Sequence, residues 1–296
     1  MASSTSSWRG LDNIRYFIIF GDSYSSVGYS SSSPHPTEEE PLGVEFPGGE
    51  DTWTTEGEPN WVGYLVSKHL AGRAAGRRPI VFDYAVGGST LPDVRSQIHE
   101  EFLPTAGKKP NWASWSAEDS LFVTWVGIND CAFIMGEKTH KVVTDLFDEQ
   151  EYLYNTGARN FLFIDLPPLA RTPSSHVNLE EYTPAYVFWN NHLKDAVAAF
   201  SSAHPDATVM LFSSWETFTR VLDDPQKHGF KPNQVRKPYG QIWMDYLHPT
   251  SAMHEWVAKD VFAFLAARPA DEDGSEREDK DAVESVQQPA VALERS

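Results

Sequence analysis

Short apolar runs alternate with amphipathic stretches of helical period through most of this chain, and this alternation restricts the possible folds more than any other feature. The apolar runs are residues 15–20, 80–86, 121–126, 161–164 and 208–212. Helical stretches are predicted near 60–66, over 93–102, 142–155 and 184–202, and after 250. Strands joined through helices need right-handed crossovers, which produce a mostly parallel sheet covered on both faces. The pattern therefore predicts an α/β fold.

This alternation is confined to the middle of the chain. Residues 1–12 are rich in serine, and residues 269–296 are acidic, with nine acids and three bases from Asp271 onward that contribute −6 of the net charge of −18. Neither segment has an apolar face that could pack. We predict one domain over residues 13–268 with a disordered tail at each end, and a chain of 296 residues suits one large domain.

Cysteine content and charge exclude several classes of function. The single cysteine, Cys131, can form neither an intramolecular disulfide nor a cysteine-based zinc site. A net charge of −18 repels phosphate groups, which argues against nucleic acid or an anionic membrane as a partner. No run approaches the roughly 20 apolar residues that cross a bilayer. The oligomeric state stays open.

The amino terminus bears on where the protein is located. Its first residues lack the apolar core of a signal peptide, and no asparagine lies in a glycosylation sequence. Both features favour a cytoplasmic protein. A secreted protein whose signal peptide has been removed would look the same at this end, so secretion remains the alternative.

Small and polar residues follow three of the predicted strands. Gly21-Asp22-Ser23 comes after the first strand, Gly87-Gly88-Ser89 after the second and Gly127-Ile128-Asn129-Asp130 after the third. In an open parallel sheet, ligands bind beyond the carboxyl ends of the strands, where these clusters would lie together. We expect the chemistry at this edge of the sheet.

Ser23 and His248 are the residue types of a nucleophile and its base. Ser23 stands on a turn directly after an apolar strand, where its hydroxyl would be presented at the sheet edge, although it could instead cap a helix. His248 follows Asp245 by three residues, so the carboxylate can fold back onto Nδ1 and leave Nε2 facing the serine. The alternative is that Asp245 caps a turn and His248 is a half-buried surface residue.

Gly88 and Asn129 could supply donors for a tetrahedral oxyanion. Glycine lets its backbone N–H approach a substrate closely, and the asparagine amide is a neutral donor that neither titrates nor attacks. Ordinary turn geometry for Gly88 and a turn-closing hydrogen bond for Asn129 are the alternatives. His254, six residues past His248, is expected on the surface of the last helix.

Four short blocks occur in order along the chain: Gly-Asp-Ser at Ser23, the glycine at Gly88, Gly-x-Asn-Asp at Asn129 and Asp-x-x-His at His248. Together they resemble the GDSL/SGNH hydrolase superfamily, and the resemblance covers roughly residues 16–267. The resemblance implies a flavodoxin-like three-layer α/β/α sandwich with a mostly parallel five-stranded sheet and a shallow, open site. It implies Ser23 as nucleophile, His248 as general base and then acid, and Asp245 as the residue that orients it. The oxyanion hole would combine the backbone N–H groups of Ser23 and Gly88 with the Asn129 side chain. No metal or cofactor is implied.

Longer segments are similar to the fungal acetylesterases of this superfamily, which remove acetyl groups from sugars and related alcohols. These segments are Phe20-Gly21-Asp22-Ser23-Tyr24, Pro59-Asn60-Trp61-Val62-Gly63-Tyr64-Leu65, Asp83-Tyr84-Ala85-Val86-Gly87-Gly88 and Phe161-Leu162-Phe163-Ile164-Asp165-Leu166-Pro167-Pro168. Tyr24 replaces the leucine of the GDSL motif, and Asp83 stands where the block usually has asparagine. The expected function is a serine esterase for short-chain, mainly acetyl, esters of a sugar or small-molecule alcohol, including acetylated secondary metabolites.

Other activities on the same scaffold stay open: a longer-chain lipase or thioesterase, acyl transfer to an alcohol, and a binding module without activity. An α/β-hydrolase is disfavoured because no Gly-x-Ser-x-Gly pentapeptide occurs.

Trp53, Trp61 and Trp243 lie in or beside the loops expected around the site. There they either stack on a ring of the substrate or pack in the core.

Overall fold

A five-stranded sheet forms the centre of the protein. Its strands are β1 (Tyr16–Gly21), β2 (Ile80–Asp83), β3 (Ser120–Trp125), β4 (Asn160–Ile164) and β5 (Thr208–Phe212). Every neighbouring pair is parallel, and the spatial order is β2-β1-β3-β4-β5. The computed structural model from which this is taken describes residues 7–48, 52–134, 136–175 and 185–271. The predicted parallel sheet is confirmed, and its order is the flavodoxin-like one.

Both faces of the sheet are covered because its strands carry apolar side chains on both. All residues of β1 to β4 are buried, whereas β5 alternates between buried and half-buried residues. Burial on both faces is typical of a parallel sheet between two layers of helices. The alternation in β5 fits its place at one edge of the sheet, where one face is less completely covered.

Helices form a layer on each side of the sheet. They are α1 (Trp61–Tyr64), α2 (Leu91–Ser96), α3 (Asp130–Phe133), α4 (Thr139–Asn155), α5 (Ala185–Ala203), α6 (Ser214–Asp223) and α7 (Ser251–Ala267), with π-helical turns at Leu65–His69 and Gln97–Phe102. α1 and α6 pack against α7, whereas α2 and α5 pack against α4. The architecture is a three-layer α/β/α sandwich. No helix in the described part of the chain is long and apolar enough to span a membrane.

Side-chain caps fix where two of the helices begin. The Asn60 side chain accepts hydrogen bonds from the backbone N–H groups of Val62 and Gly63 at the start of α1. At the start of α7, the Thr250 hydroxyl accepts one from the Met253 N–H. Such caps satisfy backbone donors that have no partner within the helix. The Thr250 cap therefore sets the start of α7 just after His248.

Helix α6 is missing from the sequence-based assignment. No glycine or proline separates it from β5, so the apolar run of the strand passes into the helix without a visible break. Ser213 caps the helix by accepting the Glu216 N–H at 3.1 Å. The Ser-x-x-Glu spacing of these two residues is a known signature of a helix start and could have predicted it.

The amino-terminal boundary of the domain also differs from the prediction. Trp8 and Leu11 are buried in the core, and the Trp8 carbonyl accepts a hydrogen bond from the Asp271 N–H at 2.9 Å. A disordered tail over residues 1–12 is therefore wrong for residues 7–12, because two large apolar side chains anchor an otherwise polar segment. Asp271, which the prediction placed in the tail over 269–296, is held by this same hydrogen bond, whereas residues 1–6 and 272–296 lie outside the described residues.

Candidate active site

The carboxyl end of β1 leads directly into Ser23. Gly21, the last residue of the strand, pairs with Trp125 of β3, and a Cβ at this position would overlap the Trp125 carbonyl oxygen. Only glycine allows this close approach. The chain then turns, and the Tyr24 N–H donates to the Asp22 side chain at 3.0 Å. This turn places Ser23 at the edge of the sheet.

Ser23, His248 and Asp245 form a continuous chain of hydrogen bonds. His248 Nδ1 lies 2.6 Å from Asp245 Oδ2, and His248 Nε2 lies 2.9 Å from Ser23 Oγ. Because a carboxylate can only accept, Nδ1 carries the proton that it donates, and Nε2 is left to accept from the Ser23 hydroxyl. The arrangement can draw the proton from Ser23 and make its oxygen nucleophilic. The fold thus joins a serine and a histidine that lie 225 residues apart in the chain.

Asp245 is kept ionised by the residues that follow it. Its Oδ1 accepts hydrogen bonds from the N–H groups of Leu247 and His248, both at 2.7 Å. Partial burial raises the pKa of Asp245, but these two hydrogen bonds and the one from the His248 ring together hold that pKa below its usual value. The carboxylate can therefore stabilise the imidazolium that forms when His248 takes up a proton.

Backbone pairing fixes the loop that carries His248. Trp243 and Pro249 form an isolated antiparallel bridge, and the Met244 N–H donates to the His248 carbonyl at 2.8 Å. The buried Trp243 indole donates to the Val235 carbonyl, also at 2.8 Å. The Asp-x-x-His segment is therefore held against the core before α7 begins.

Gly88 and Asn129 belong to connected loops at the same edge of the sheet. Gly88 has a φ of 81°, a left-handed conformation that favours glycine, and no atom lies within 4 Å of the position a Cβ would take. The Asn129 side chain donates to the carbonyl of Ser89, the residue after Gly88, at 2.9 Å. An amide nitrogen carries two hydrogens, so a second N–H of Asn129 remains for a ligand.

Gln97 is a site residue that sequence reasoning missed. Its buried side chain binds the last residue of β1: Oε1 accepts from the Gly21 N–H at 3.0 Å, and Nε2 donates to the Gly21 carbonyl at 2.8 Å. Nε2 also donates to the Ser89 hydroxyl at 3.1 Å. Gln97 therefore joins the end of β1 to the loop after β2. The feature of the sequence that could have identified Gln97 is its position on the apolar face of the helix predicted over 93–102, where a polar residue is unusual.

Tyr24, which stands where the GDSL motif has leucine, is fully buried behind Ser23. Its hydroxyl donates to the Leu247 carbonyl at 2.8 Å. Burial raises the pKa of Tyr24 well above its usual value, so the hydroxyl keeps the proton that it donates. A leucine could not form this hydrogen bond, and Tyr24 therefore ties the Ser23 turn to the His248 loop in a way that the short motif does not specify.

Asp83, the second departure from the family pattern, is a fully buried carboxyl at the end of β2. Its Oδ1 accepts from the Ala85 N–H at 3.0 Å, and its Oδ2 has no hydrogen-bond partner among the residues described. Burial raises the pKa of Asp83 well above its usual value, and the Ala85 hydrogen bond lowers it only in part. Burial therefore favours the protonated form of this carboxyl, which is uncharged like asparagine. Burial also raises the pKa of Asp22, to about 7.

The three tryptophans expected near the site have different environments. Trp61 and Trp243 are fully buried in the core. Trp53 is partly exposed, and its ring stacks on the His248 ring with centroids 5.0 Å apart. Core packing is thus the correct interpretation for two of them, and Trp53 lines the site.

His254 is fully buried on α7, so the expectation of a surface position is wrong. It shares the core-facing stripe of α7 with Val257 and Ala258, three and four residues further on. Burial lowers the pKa of His254 to about 3, which keeps its ring neutral. His254 does not take part in the hydrogen-bonded chain described above.

A hollow of about 320 Å³ adjoins Gly88. The residues that line it include Gln97 and three acidic residues, Asp93, Glu100 and Glu101. Within the described residues, no group of three or more histidine, cysteine, aspartate or glutamate side chains is arranged so that it could hold a metal ion. The hollow is therefore acidic without being a metal cluster.

Fold and site together define a class of protein. A parallel α/β/α sandwich with a serine, a histidine and an aspartate hydrogen-bonded in series at the carboxyl edge of its sheet is the architecture of a serine-dependent acyl hydrolase. A family model described as GDSL-like lipase/acylhydrolase matches residues 17–261. The chain belongs to this family, and it is a carboxylic ester hydrolase.

Curated relatives and solved structures agree with this assignment. The chain is 28% identical over 270 residues to an acetylesterase of Thermothelomyces thermophilus, covering 83% of this chain and 87% of that protein. It is 19% identical over 326 residues to an acetylesterase of Hypocrea jecorina, covering 87% and 90%. An acetylxylan esterase from Geobacillus stearothermophilus has a TM-score of 0.56 at 14% identity, covering 87% of this chain and 98% of that one. An alpha/beta hydrolase enzyme from the metagenome of Lake Arreo, Spain, has a TM-score of 0.54 at 16% identity, with coverage of 84% and 94%. The structural likenesses show a shared fold.

Proposed function

We propose that the protein is a serine esterase that hydrolyses short-chain esters, above all acetyl esters, of a sugar or a small-molecule alcohol. The observation that carries this proposal is the chain of hydrogen bonds from Ser23 through His248 to Asp245, at 2.9 and 2.6 Å. It supplies a nucleophile, a base in contact with that nucleophile, and a carboxylate that orients the base.

The reaction proceeds through an acyl-enzyme. Ser23 Oγ attacks the ester carbonyl carbon while His248 Nε2 takes the hydroxyl proton, and the carbonyl oxygen becomes an oxyanion. Collapse of this intermediate breaks the bond to the alcohol oxygen, which leaves with the proton held by His248. Water then gives a proton to His248 and attacks the acyl carbon, and the acid is released as Ser23 regains its hydrogen.

Three N–H groups are assigned to the oxyanion: those of the Ser23 backbone, the Gly88 backbone and the Asn129 side chain. The left-handed backbone of Gly88 leaves open space where a side chain would otherwise stand. Asn129 is oriented by its hydrogen bond to the Ser89 carbonyl. Donors held in place before the reaction stabilise the developing charge without having to reorganise.

Curated relatives support an acetyl group as the acyl half. Two of them are acetylesterases, and each is matched over most of its length. Hydrolysis of p-nitrophenyl esters from acetate to palmitate tests the acyl preference, with kcat/KM as the measured quantity and the Ser23→Ala variant as the blank. We expect the highest kcat/KM with acetate and a steady fall beyond butyrate.

A maximum at eight or more carbons would instead assign the protein as a lipase or long-chain thioesterase. If the acetyl group appeared on an added alcohol in preference to water, the protein would be an acyltransferase. Equal rates for the wild type and Ser23→Ala would leave only the binding-module alternative.

A further inference from the structure

Large apolar side chains that face solvent are concentrated around the proposed site. Within the described ranges, the exposed ones are Phe46, Trp53, Val86, Phe133, Tyr152, Tyr239 and Tyr246. Five of these lie on, or pack against, segments that form the site, and we call these five the apolar rim: Trp53, Val86, Phe133, Tyr239 and Tyr246. Single exposed apolar residues are common on soluble proteins, but a group around one site indicates a surface that meets a ligand.

Three aromatic rings form the rim on the side of the histidine. Trp53 stacks on His248 at 5.0 Å between ring centroids. Tyr246 lies between Asp245 and His248 in the chain, and its ring meets that of Tyr239 edge to face at 5.7 Å. The rim therefore begins in contact with the proposed base and extends outward from it.

The rim continues on the side of the proposed oxyanion donors. Val86 lies two residues before Gly88, and its N–H donates to the Gly21 carbonyl at 3.2 Å, which places it beside the end of β1. Phe133 ends α3, four residues after Asn129, and is 83% exposed. Val86 and Phe133 therefore lie on the two segments that carry the proposed donors Gly88 and Asn129.

Polar groups near Gly88 are largely engaged by the protein itself. Asp93 accepts from the backbone N–H and the hydroxyl of Thr90, at 2.8 and 2.7 Å. Glu101 accepts from the Ser31 N–H at 2.8 Å, and the Gln97 side chain is hydrogen-bonded to Gly21 at the end of β1. The carboxyl groups of the hollow and the net charge of −18 also repel anionic ligands.

We propose that the apolar rim binds the alcohol half of the ester, and that this half is an uncharged alcohol bearing an apolar ring rather than a polyhydroxylated sugar. This assignment rests on the proposed function. An acetyl group has only two carbons and lies next to Ser23 during the reaction. The rim extends further, as far as Tyr239, so its outer part contacts the alcohol half of the ester. Apolar and aromatic side chains stabilise a bound ring by removing it from water.

Two acetates that differ only in the polarity of the ring test this assignment: cyclohexyl acetate and a methyl xyloside acetylated at one hydroxyl. Both are acetates of secondary alcohols on a six-membered ring, so the acyl half and the reaction are the same. We expect the wild type to prefer cyclohexyl acetate by about tenfold or more in kcat/KM, mainly through a lower KM.

Rim variants then locate the preference on the protein. Tyr246→Ala, Tyr239→Ala and Phe133→Ala should each lower kcat/KM for cyclohexyl acetate by about threefold to tenfold, with a smaller effect on the acetylated xyloside. The matched control is Tyr152→Ala: Tyr152 is as exposed as Tyr246 (51% against 54%) but lies on α4, where its ring meets His99. The control should leave both substrates unchanged.

Three outcomes would overturn the assignment. The wild type could prefer the acetylated xyloside, or the rim variants could affect both substrates equally. Alternatively, light scattering could show a dimer that the rim variants dissociate, which would make the rim a contact with a second copy of the chain. In each case continued hydrolysis of p-nitrophenyl acetate would leave the proposed function standing, whereas its failure would count against that function separately.

Discussion

Gln97 binds both hydrogen-bonding groups of Gly21, as a neighbouring strand would. Its side-chain oxygen lies 3.0 Å from the Gly21 nitrogen and its nitrogen 2.8 Å from the Gly21 oxygen. The register between β1 and β2 ends at Ile19 and Asp83, although the Val86 N–H beyond it still donates to the Gly21 carbonyl at 3.2 Å. Two residues before Ser23, Gln97 thus accepts from the Gly21 N–H and shares the Gly21 carbonyl with Val86.

Replacing Gln97 with leucine should therefore lower kcat by about tenfold to a hundredfold. The variant leaves the Gly21 groups and the Ser89 hydroxyl without this partner, and the turn that carries Ser23 loses its support. Gln150→Leu is the matched control, because Gln150 is also a buried glutamine but lies on α4, where it donates to the Leu146 carbonyl. Steady-state kinetics should show a loss in the first variant and none in the second. Equal losses would indicate a purely structural effect.

The hydrogen bond from Tyr24 to the Leu247 carbonyl leads to a second expectation. Tyr24→Phe keeps the ring and removes only the hydroxyl, so it should weaken the link between the Ser23 turn and the His248 loop. A hydrogen bond of this kind contributes about 1 kcal/mol, which corresponds to roughly a fivefold fall in kcat if the link acts mainly on the reacting geometry.

Tyr16→Phe provides the comparison for Tyr24→Phe. The Tyr16 hydroxyl is hydrogen-bonded to Ser114 at 3.2 Å, at the start of β1 and therefore at the opposite end of the sheet from Ser23. The Tyr16→Phe variant should therefore leave kcat unchanged. A rise in KM alone for Tyr24→Phe would assign Tyr24 to substrate binding instead of positioning.

Asn129→Ala should lower kcat by about a hundredfold or more with little change in KM. Its amide is assigned to a negative charge that exists in the transition state and not in the bound ester. Kinetics with p-nitrophenyl acetate measures both constants, and thermal unfolding of the same sample checks that the fold is intact. A change confined to KM would contradict the assigned role.

Asp83→Asn should make the protein more resistant to unfolding at neutral and alkaline pH. Because burial raises the pKa of Asp83, the folded state holds a proton that the unfolded state releases above the usual value of 3.8. The stability that this group contributes is complete below 3.8 and is lost as the pH rises through the folded-state pKa. Urea unfolding at pH 4 to 9 should therefore show the advantage of the variant growing with pH. A constant difference between variant and wild type would refute the buried neutral carboxyl.

Features with a regular pattern could be predicted from the sequence. Apolar runs separated by helical stretches were sufficient for the parallel sheet, because a strand buried on both faces has few other interpretations. The Asp245 and His248 contact was also expected, since a spacing of three residues places both in one turn. The hydrogen bond between His248 and Ser23 could be predicted only from the resemblance of four separated sequence blocks to a known family.

Contacts between distant and individually unremarkable residues could not be predicted in this way. Gln97 acts through the backbone of Gly21, and nothing in the local sequence of either residue names the other. The Tyr24 hydroxyl likewise reaches a carbonyl 223 residues away. Trp8 and Leu11 show the same limit in packing, because these two side chains anchor a serine-rich segment that has no apolar periodicity.

Reaction with a neutral p-nitrophenyl phosphonate ester tests most directly whether His248 activates Ser23. Attack of the Ser23 oxygen on phosphorus releases p-nitrophenolate and leaves a phosphonylated serine that mass spectrometry of peptides can locate. Ser26→Ala serves as the control, because Ser26 is a buried serine of the same loop that lies outside the hydrogen-bonded chain.

We expect one adduct, on Ser23, in the wild type and in Ser26→Ala, with activity lost in proportion to labelling. Ser23→Ala should give no adduct, and His248→Ala should react at least about a hundredfold more slowly. An adduct on another residue with equal loss of activity, or labelling of His248→Ala at the rate of the wild type, would contradict the account.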